Sequence, residues 1–123
     1  RYALIGAGPA GLAMARCLDK AGLPFHGFEA HTDVGGLWDI ANPRSTVYET
    51  AHLISSKRMT EFSEFPMAEH VADYPSHREL RQYFSDFAER FDLKRHYRFG
   101  TIVRRVEPLS EAADTRWEVT FDD

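Results

Sequence analysis

The sequence predicts an α/β fold: a strand-helix-strand unit with a parallel sheet, to which a further helix and an antiparallel strand pair are added. Three observations predict it. A short apolar run near the start of the chain ends in glycines at a G-x-G-x-x-G spacing. An amphipathic helical pattern lies further along the chain, and apolar and polar residues alternate near its C-terminal end. With 123 residues and 43% hydrophobic residues, the chain is expected to form one domain with a modest core.

The first element is residues 2–11, which we expect to form a buried strand, a glycine turn and the start of a helix. Gly6 allows a tight turn, Gly8 lets backbone amides approach a pyrophosphate, and Gly11 lets the helix pack closely on the strand. Pro9 suits the first helical turn, where its missing N–H is not needed. The helix N-terminus favours an anion, so this stretch predicts a dinucleotide site.

The next elements extend this unit. A helix is expected over residues 9–21, ended by Gly22, and a short strand over residues 25–28. Glu29 follows that strand, 18 positions after Gly11, close to the spacing of about 20 expected for an acid that binds ribose hydroxyls. The alternative is a solvated carboxylate at a strand end.

Two loops follow. In the first, Gly35 and Gly36 allow backbone to approach a ligand that Leu37 and Trp38 could cover; alternatively Trp38 only anchors the loop in the core. Residues 40–68 show no helical period, and so long an irregular connection is usually functional. Its segment 55–58 supplies hydroxyls and positive charge for a polar or phosphate-bearing ligand, or forms a solvated turn.

The clearest helix begins at Ser76, an N-cap completed by Glu79 as a capping box. Its apolar stripe is expected to be core: Leu80, Tyr83, Phe84, Phe87, Ala88 and Phe91. We expect His77 to lie on the surface. Residues 97–106 and 116–121 then predict two antiparallel strands joined by a loop over 108–114.

Composition limits the function classes. The net charge is -4, and the scattered basic residues form no continuous basic face, so nucleic-acid binding is not indicated. The apolar runs are shorter than the ~20 residues of a membrane span, and a cytoplasmic location is expected. The six histidines lie in separate segments and predict no metal site, and Cys17 is expected to be a packed thiol. Because the chain opens inside a strand, we expect it to be cut from a longer protein that supplies more parallel strands.

Together these residues resemble the N-terminal part of the flavin-containing monooxygenase family over essentially all of the chain. The matching stretches are Gly6-Ala-Gly-Pro-Ala-Gly-Leu12, Phe28-Glu29, Gly35-Gly-Leu-Trp38, Val47-Tyr48, Ser56-Lys57, Met59, Phe62-Ser63, Phe65-Pro66-Met67 and Phe99-Gly-Thr-Ile-Val103. Many flavin enzymes share the glycine turn, but far fewer share the rest in this order.

The resemblance implies that residues 1–123 are the N-terminal part of an FAD-binding, Rossmann-like domain, and that NADPH binds a second domain outside this chain. The implied FAD contacts are Gly6, Gly8, Pro9, Ala10 and Gly11 at the pyrophosphate, Glu29 at the ribose, Gly36, Leu37, Trp38 and Ser55, and the Val103 backbone at adenine. The implied reaction is reduction of FAD by NADPH, capture of O2 as a flavin hydroperoxide, and oxygen transfer to a nitrogen or sulfur nucleophile of a small-molecule substrate. A homodimer is one possible assembly.

One position departs from the family. Animal-type members carry an Asn near the flavin where this chain has Ile54, and an isoleucine cannot hydrogen-bond a hydroperoxide or a nicotinamide ribose. We therefore name no catalytic residue. An FAD-dependent NAD(P)H reductase or dehydrogenase on the same scaffold is the main alternative, followed by a nucleotide-responsive module without turnover and a plain NAD dehydrogenase domain.

Overall fold

The computed structural model describes residues 1–122, so Asp123, the last residue of the predicted domain, lies outside the described residues. The chain forms two sheets and three α-helices in the order β1 (Tyr2–Ile5), α1 (Pro9–Lys20), β2 (Phe25–Phe28), α2 (Lys57–Thr60), α3 (His77–Arg90), β3 (Tyr97–Arg98), β4 (Val103–Pro108) and β5 (Trp117–Phe121). Single-turn 3-10 helices lie at Gly36–Trp38 and Leu93–His96. Among residues 1–122, none of the helices has the length and apolar character needed to cross a bilayer.

The first sheet is parallel and has the order β1-β2-β3. Tyr2 pairs with Phe25 and Ile5 with Phe28, which confirms the strand-helix-strand unit. The expectation that β1 is buried is wrong, because Tyr2 and Ile5 are 53% and 55% exposed. The cause is topological: β1 is an edge strand of this sheet and has a hydrogen-bonded neighbour on one side only.

The C-terminal strands differ from the prediction in one respect. The single strand expected over residues 97–106 is two strands, because Gly100 adopts φ +61 and turns the chain between them. β3 joins the parallel sheet beside β2, while β4 pairs antiparallel with β5 as expected for the final pair.

The core lies between α1, α3 and the parallel sheet. The predicted stripe on α3 is confirmed: Leu80, Tyr83, Phe84, Phe87 and Ala88 are buried, and Phe91 packs half-buried against them. The predicted capping box is also confirmed, since the Ser76 side chain accepts from the Glu79 amide and Glu79 accepts from the Ser76 amide.

Two side chains were placed wrongly from sequence. His77 is 1% exposed, because its imidazole Nε2 bonds the Glu49 carbonyl at 3.1 Å and its amide donates to the Ala51 carbonyl at 3.0 Å. The backbone of residues 49–51, which precedes α2, therefore covers it. Cys17, expected to be packed, is exposed, because α1 turns Leu12 and Ala15 toward the core instead.

Candidate dinucleotide site

The turn between β1 and α1 requires glycine at two of its positions, Gly6 and Gly11. Gly6 adopts φ +97, a conformation that other residues rarely reach. A Cβ added to Gly11 would lie 2.1 Å from the Gly6 carbonyl oxygen and 2.9 Å from its carbonyl carbon. The tight turn predicted at Gly6 and the close helix-strand packing predicted at Gly11 are therefore both confirmed.

This turn directs backbone N–H groups toward the space beyond the start of α1. Pro9 occupies the first turn, and the Leu12 amide makes the first intrahelical bond, to the Gly8 carbonyl at 2.9 Å. Within residues 1–122, the amides of Ala10 and Gly11 donate to no acceptor. Unpaired donors at the positive end of a helix suit a phosphate oxygen.

Glu29 lies beside this turn and is 8% exposed, which excludes a solvated carboxylate. Its Oε2 accepts from the Ala7 amide at 2.6 Å and its Oε1 from the His31 amide at 2.7 Å. Each carboxylate oxygen has a second lone pair free to accept from a hydroxyl. The Thr101 amide donates to the Glu29 carbonyl at 2.9 Å, so the segment that leads to Val103 also reaches this place.

The loop with paired glycines packs directly on the turn. The Gly35 amide donates to the Ala7 carbonyl at 3.0 Å, and a Cβ on Gly36 would lie 2.9 Å from the Gly8 Cα. Gly35 and Gly36 both have positive φ, at +119 and +59. The glycines thus bring the loop against the turn itself, in addition to any approach to a ligand.

The two apolar residues after these glycines line an open cleft of about 330 Å³. Leu37 is 48% exposed there, whereas Trp38 is half-buried against the core and also lines the cleft. Trp38 therefore anchors the loop in the core and also presents a face to the cleft, while its contact with a ligand stays a prediction. Tyr48 and Ile54 line the same cleft, and Ile54 is 94% exposed.

Within the segment 55–58, Lys57 is buried, whereas Ser55 and Arg58 are exposed, as expected for a solvated turn. Lys57 is 5% exposed, and its Nζ donates to the carbonyls of Val71 at 2.6 Å, Glu69 at 3.0 Å and Ala68 at 3.4 Å. Lys57 therefore neither faces a ligand nor lies in solvent. Ser55 is exposed, with its Oγ 2.8 Å from the Thr60 hydroxyl, and its contact with FAD stays a prediction.

A charged cluster, absent from the sequence predictions, fixes residues 31–39 on the rest of the domain. Asp33 pairs with Lys94 at 2.8 Å and with Arg81 at 3.3 Å, and the carboxylate of the buried Asp39 lies 3.8 Å from the Arg81 guanidinium and 3.3 Å from the His31 imidazole. Burial raises the pKa of the Asp33 carboxyl, but hydrogen bonds and charges, chiefly from Lys94, outweigh burial and hold that pKa below its ordinary value. The loop that packs on the glycine turn is thereby tied to α3.

Comparison with known proteins agrees with this geometry. Residues 1–123 match the sequence model described as flavin-binding monooxygenase-like. The chain is 36% identical over 124 residues to dimethylaniline monooxygenase [N-oxide-forming] 2 of Oryctolagus cuniculus, covering 97% of this chain and 23% of that protein. The chain thus spans about a quarter of the length of the curated relatives it matches.

Solved structures give the same result. An oxidized steroid monooxygenase bound to NADP superposes with a TM-score of 0.84 at 30% identity, covering 98% of this chain and 23% of that one. The OTEMO complex with FAD and NADP superposes with a TM-score of 0.82 at 29% identity, covering 99% and 22%. From its match over every residue and its glycine turn, the chain belongs to the flavin-binding monooxygenase-like family.

Proposed function

We propose that the protein containing this chain is an NADPH-dependent flavoprotein monooxygenase and that residues 1–123 supply its FAD-binding part. The observation that carries the proposal is the glycine turn, where unpaired amides at the start of α1 lie beside the buried carboxylate of Glu29. Family membership and the FAD and NADP named for the solved OTEMO relative support it.

The residues present fit FAD. Gly8, Ala10 and Gly11 would donate backbone N–H groups to the pyrophosphate, and Glu29 would accept from the ribose hydroxyls. Adenine would lie toward Val103.

The apolar wall of the cleft beside Leu37 and Trp38 would pack against the cofactor. When bound, FAD supplies the redox chemistry, taking electrons from NADPH and passing them to O2.

The proposed substrate is a small molecule with a nitrogen or sulfur nucleophile. The name of the rabbit relative, which is N-oxide-forming, supports nitrogen. NADPH and O2 would act through the rest of the protein. A cytoplasmic location and a homodimer stay predictions from the sequence.

The second candidate is an FAD-dependent NAD(P)H reductase or dehydrogenase that does not oxygenate a substrate. Ile54 favours it, because this position on the cleft wall offers no hydrogen-bond donor from its side chain. Under this alternative, O2 would be reduced to peroxide without transfer to a substrate.

Product balance in the protein that contains this chain separates the two functions. The protein would be supplied with NADPH, air and N,N-dimethylaniline, and the N-oxide and hydrogen peroxide formed per NADPH consumed would be measured. A monooxygenase gives close to one N-oxide per NADPH, whereas a reductase gives peroxide and no N-oxide. A protein purified without flavin absorbance, and unable to take up added FAD, would contradict both.

A matched pair of variants tests the site. Glu29→Gln should weaken FAD retention by roughly tenfold, because a neutral amide cannot accept from both the backbone and the ribose with the strength of a carboxylate. Glu111→Gln, on the exposed loop between β4 and β5, is the control and should retain FAD fully. Equal flavin content in the two variants would count against Glu29 as a ligand.

A further inference from the structure

Tyr97 occupies an unusual place beneath the glycine turn. It begins β3, its side chain is buried, and its ring lies across the neighbouring strand β2 at Gly27. A Cβ on Gly27 would lie 2.4 Å from the nearest ring carbon and within 2.8 Å of two others. Any side chain at position 27 would therefore clash with the Tyr97 ring, and glycine leaves the space that the ring occupies.

The Tyr97 hydroxyl reaches the turn itself. It donates to the Gly6 carbonyl at 3.3 Å and lies 3.4 Å from the place a Gly11 Cβ would take. Burial, with the nearby charge of Glu29, raises the pKa of the Tyr97 phenol, so the hydroxyl keeps its proton and remains a donor. Within residues 1–122, it is the donor found for the Gly6 carbonyl.

Gly6 is the residue whose rotation would move the whole turn. Its φ of +97 lies in a region where glycine has wide freedom, and the peptide that follows is held on both sides: Glu29 Oε2 accepts from its Ala7 N–H at 2.6 Å, and Tyr97 donates to its Gly6 carbonyl. A shift of this peptide would move the amides that follow, at Gly8, Ala10 and Gly11, away from the positions that we propose for the pyrophosphate contacts. A turn held in its bound conformation binds with a smaller ordering cost.

We propose that Tyr97 is a positioning residue for the dinucleotide: its hydroxyl holds the Gly6 carbonyl and so sets the backbone amides for the pyrophosphate. The inference rests on the proposed function, since it takes FAD to bind at this turn. In this role, Tyr97 would not need to touch the cofactor. It acts through Gly6, and Gly27 makes its approach possible.

The test replaces only the hydroxyl. Tyr97→Phe keeps the ring on Gly27, and affinity would be measured with the apoprotein of the protein that contains this chain, from the quenching of FAD fluorescence. Since 3.3 Å is long for an O–H···O bond, we expect the FAD dissociation constant to rise about two- to fivefold. ADP, which carries a pyrophosphate, should lose affinity by the same factor as an FAD competitor, and adenosine should not.

Tyr83→Phe is the matched control, because Tyr83 is equally buried but its hydroxyl bonds the Phe62 amide at 2.8 Å and the Phe65 carbonyl at 2.6 Å. It should lower the melting temperature of the apoprotein and leave the FAD dissociation constant unchanged. Tyr97→Phe should show the reverse pattern, with a melting temperature within about 2 °C of the unsubstituted protein.

A second variant displaces the hydroxyl without removing it. Gly27→Ala pushes a methyl group against the phenol ring and should displace the hydroxyl from Gly6. If the two changes act through one contact, the double variant should lose no more FAD affinity than the worse single variant.

Unchanged FAD affinity in Tyr97→Phe, or a loss with the melting pattern of Tyr83→Phe, would overturn the inference. Absence of FAD binding by the unsubstituted protein would instead defeat the proposed function.

Discussion

The sharpest test of the glycine turn compares an alanine at Gly11 with an alanine at Gly8. At Gly11, the new Cβ would lie 2.1 Å from the Gly6 carbonyl oxygen, so the helix or the turn must move by roughly 1 Å. Such overpacking costs about 1–3 kcal/mol in unfolding free energy, of which the better helix propensity of alanine offsets about 1 kcal/mol. The net expectation is a loss of about 0–2 kcal/mol in the apoprotein.

At Gly8 the protein itself has room. A Cβ there would meet the Gly36 Cα at 3.6 Å, an ordinary contact, and the backbone has φ -74, which any residue adopts. Gly8→Ala should therefore change the unfolding free energy of the apoprotein by less than about 0.5 kcal/mol. Its Cβ would still project from the turn that we assign to the pyrophosphate.

Both variants should bind FAD with lower affinity, but for different reasons. Displacing the turn by roughly 1 Å removes at least two amide hydrogen bonds to a charged group, which corresponds to about a hundredfold or greater loss of affinity. Gly8→Ala should lose affinity through direct contact with the ligand.

Urea unfolding of the apoproteins and FAD titration would be run side by side. FAD binding by Gly11→Ala at the unsubstituted affinity would refute the assignment of the turn, and equal stability losses in both variants would refute the steric account.

Three further predictions concern stability. Lys57→Met should lower the unfolding free energy by about 3 kcal/mol in urea, because three inward carbonyls lose their donor. Arg58→Met, which breaks an exposed ion pair with Glu69, should leave the unfolding free energy almost unchanged, and similar losses in both variants would contradict the burial argument. Gly36→Ala should destabilise the apoprotein by about 1–3 kcal/mol, because position 36 has a positive φ and the new Cβ would clash with the Gly8 Cα. An unchanged melting temperature would be incompatible with that contact. Folding lowers the pKa of Asp33, so the unfolded chain binds this proton more readily than the folded chain. The ionised Asp33 carboxylate therefore stabilises the fold above its ordinary pKa of 3.8, and this stabilisation is lost as the pH falls through the lower pKa of the folded state. Acid titration of unfolding should therefore show a shallower loss below about pH 4 in Asp33→Asn, and identical profiles would exclude the ion pair with Lys94 as a cause.

The features that sequence predicted well depend on local spacing. The glycine turn, the capping box at Ser76 and the stripe on α3 each arise within a dozen residues, where helix and turn geometry decide the outcome. The pairing of β4 with β5 followed from simple alternation, although the break at Gly100 was missed.

The features that could not be predicted from the sequence depend on backbone carbonyl groups far away along the chain. His77 and Lys57 look like surface residues, yet carbonyls 28 and 11–14 positions away bond them. No local pattern shows where those carbonyls lie. The role of Tyr97 is equally remote, since its hydroxyl meets a carbonyl 91 positions earlier in the chain.

The contact between Gly8 and Gly36 also limits how such a site can change over evolutionary time. A side chain at position 36 would occupy space already taken by the Cα of position 8, and it would need a backbone angle that only glycine adopts easily. Both the contact with the Gly8 Cα and the positive φ therefore disfavour a side chain at position 36. A substitution at position 8 removes neither obstacle, because the Cα remains. A lineage that lost Gly36 would have to rebuild the loop and the turn together, so we expect variation to accumulate in the cleft wall instead, where Ile54 is free of contacts of this kind.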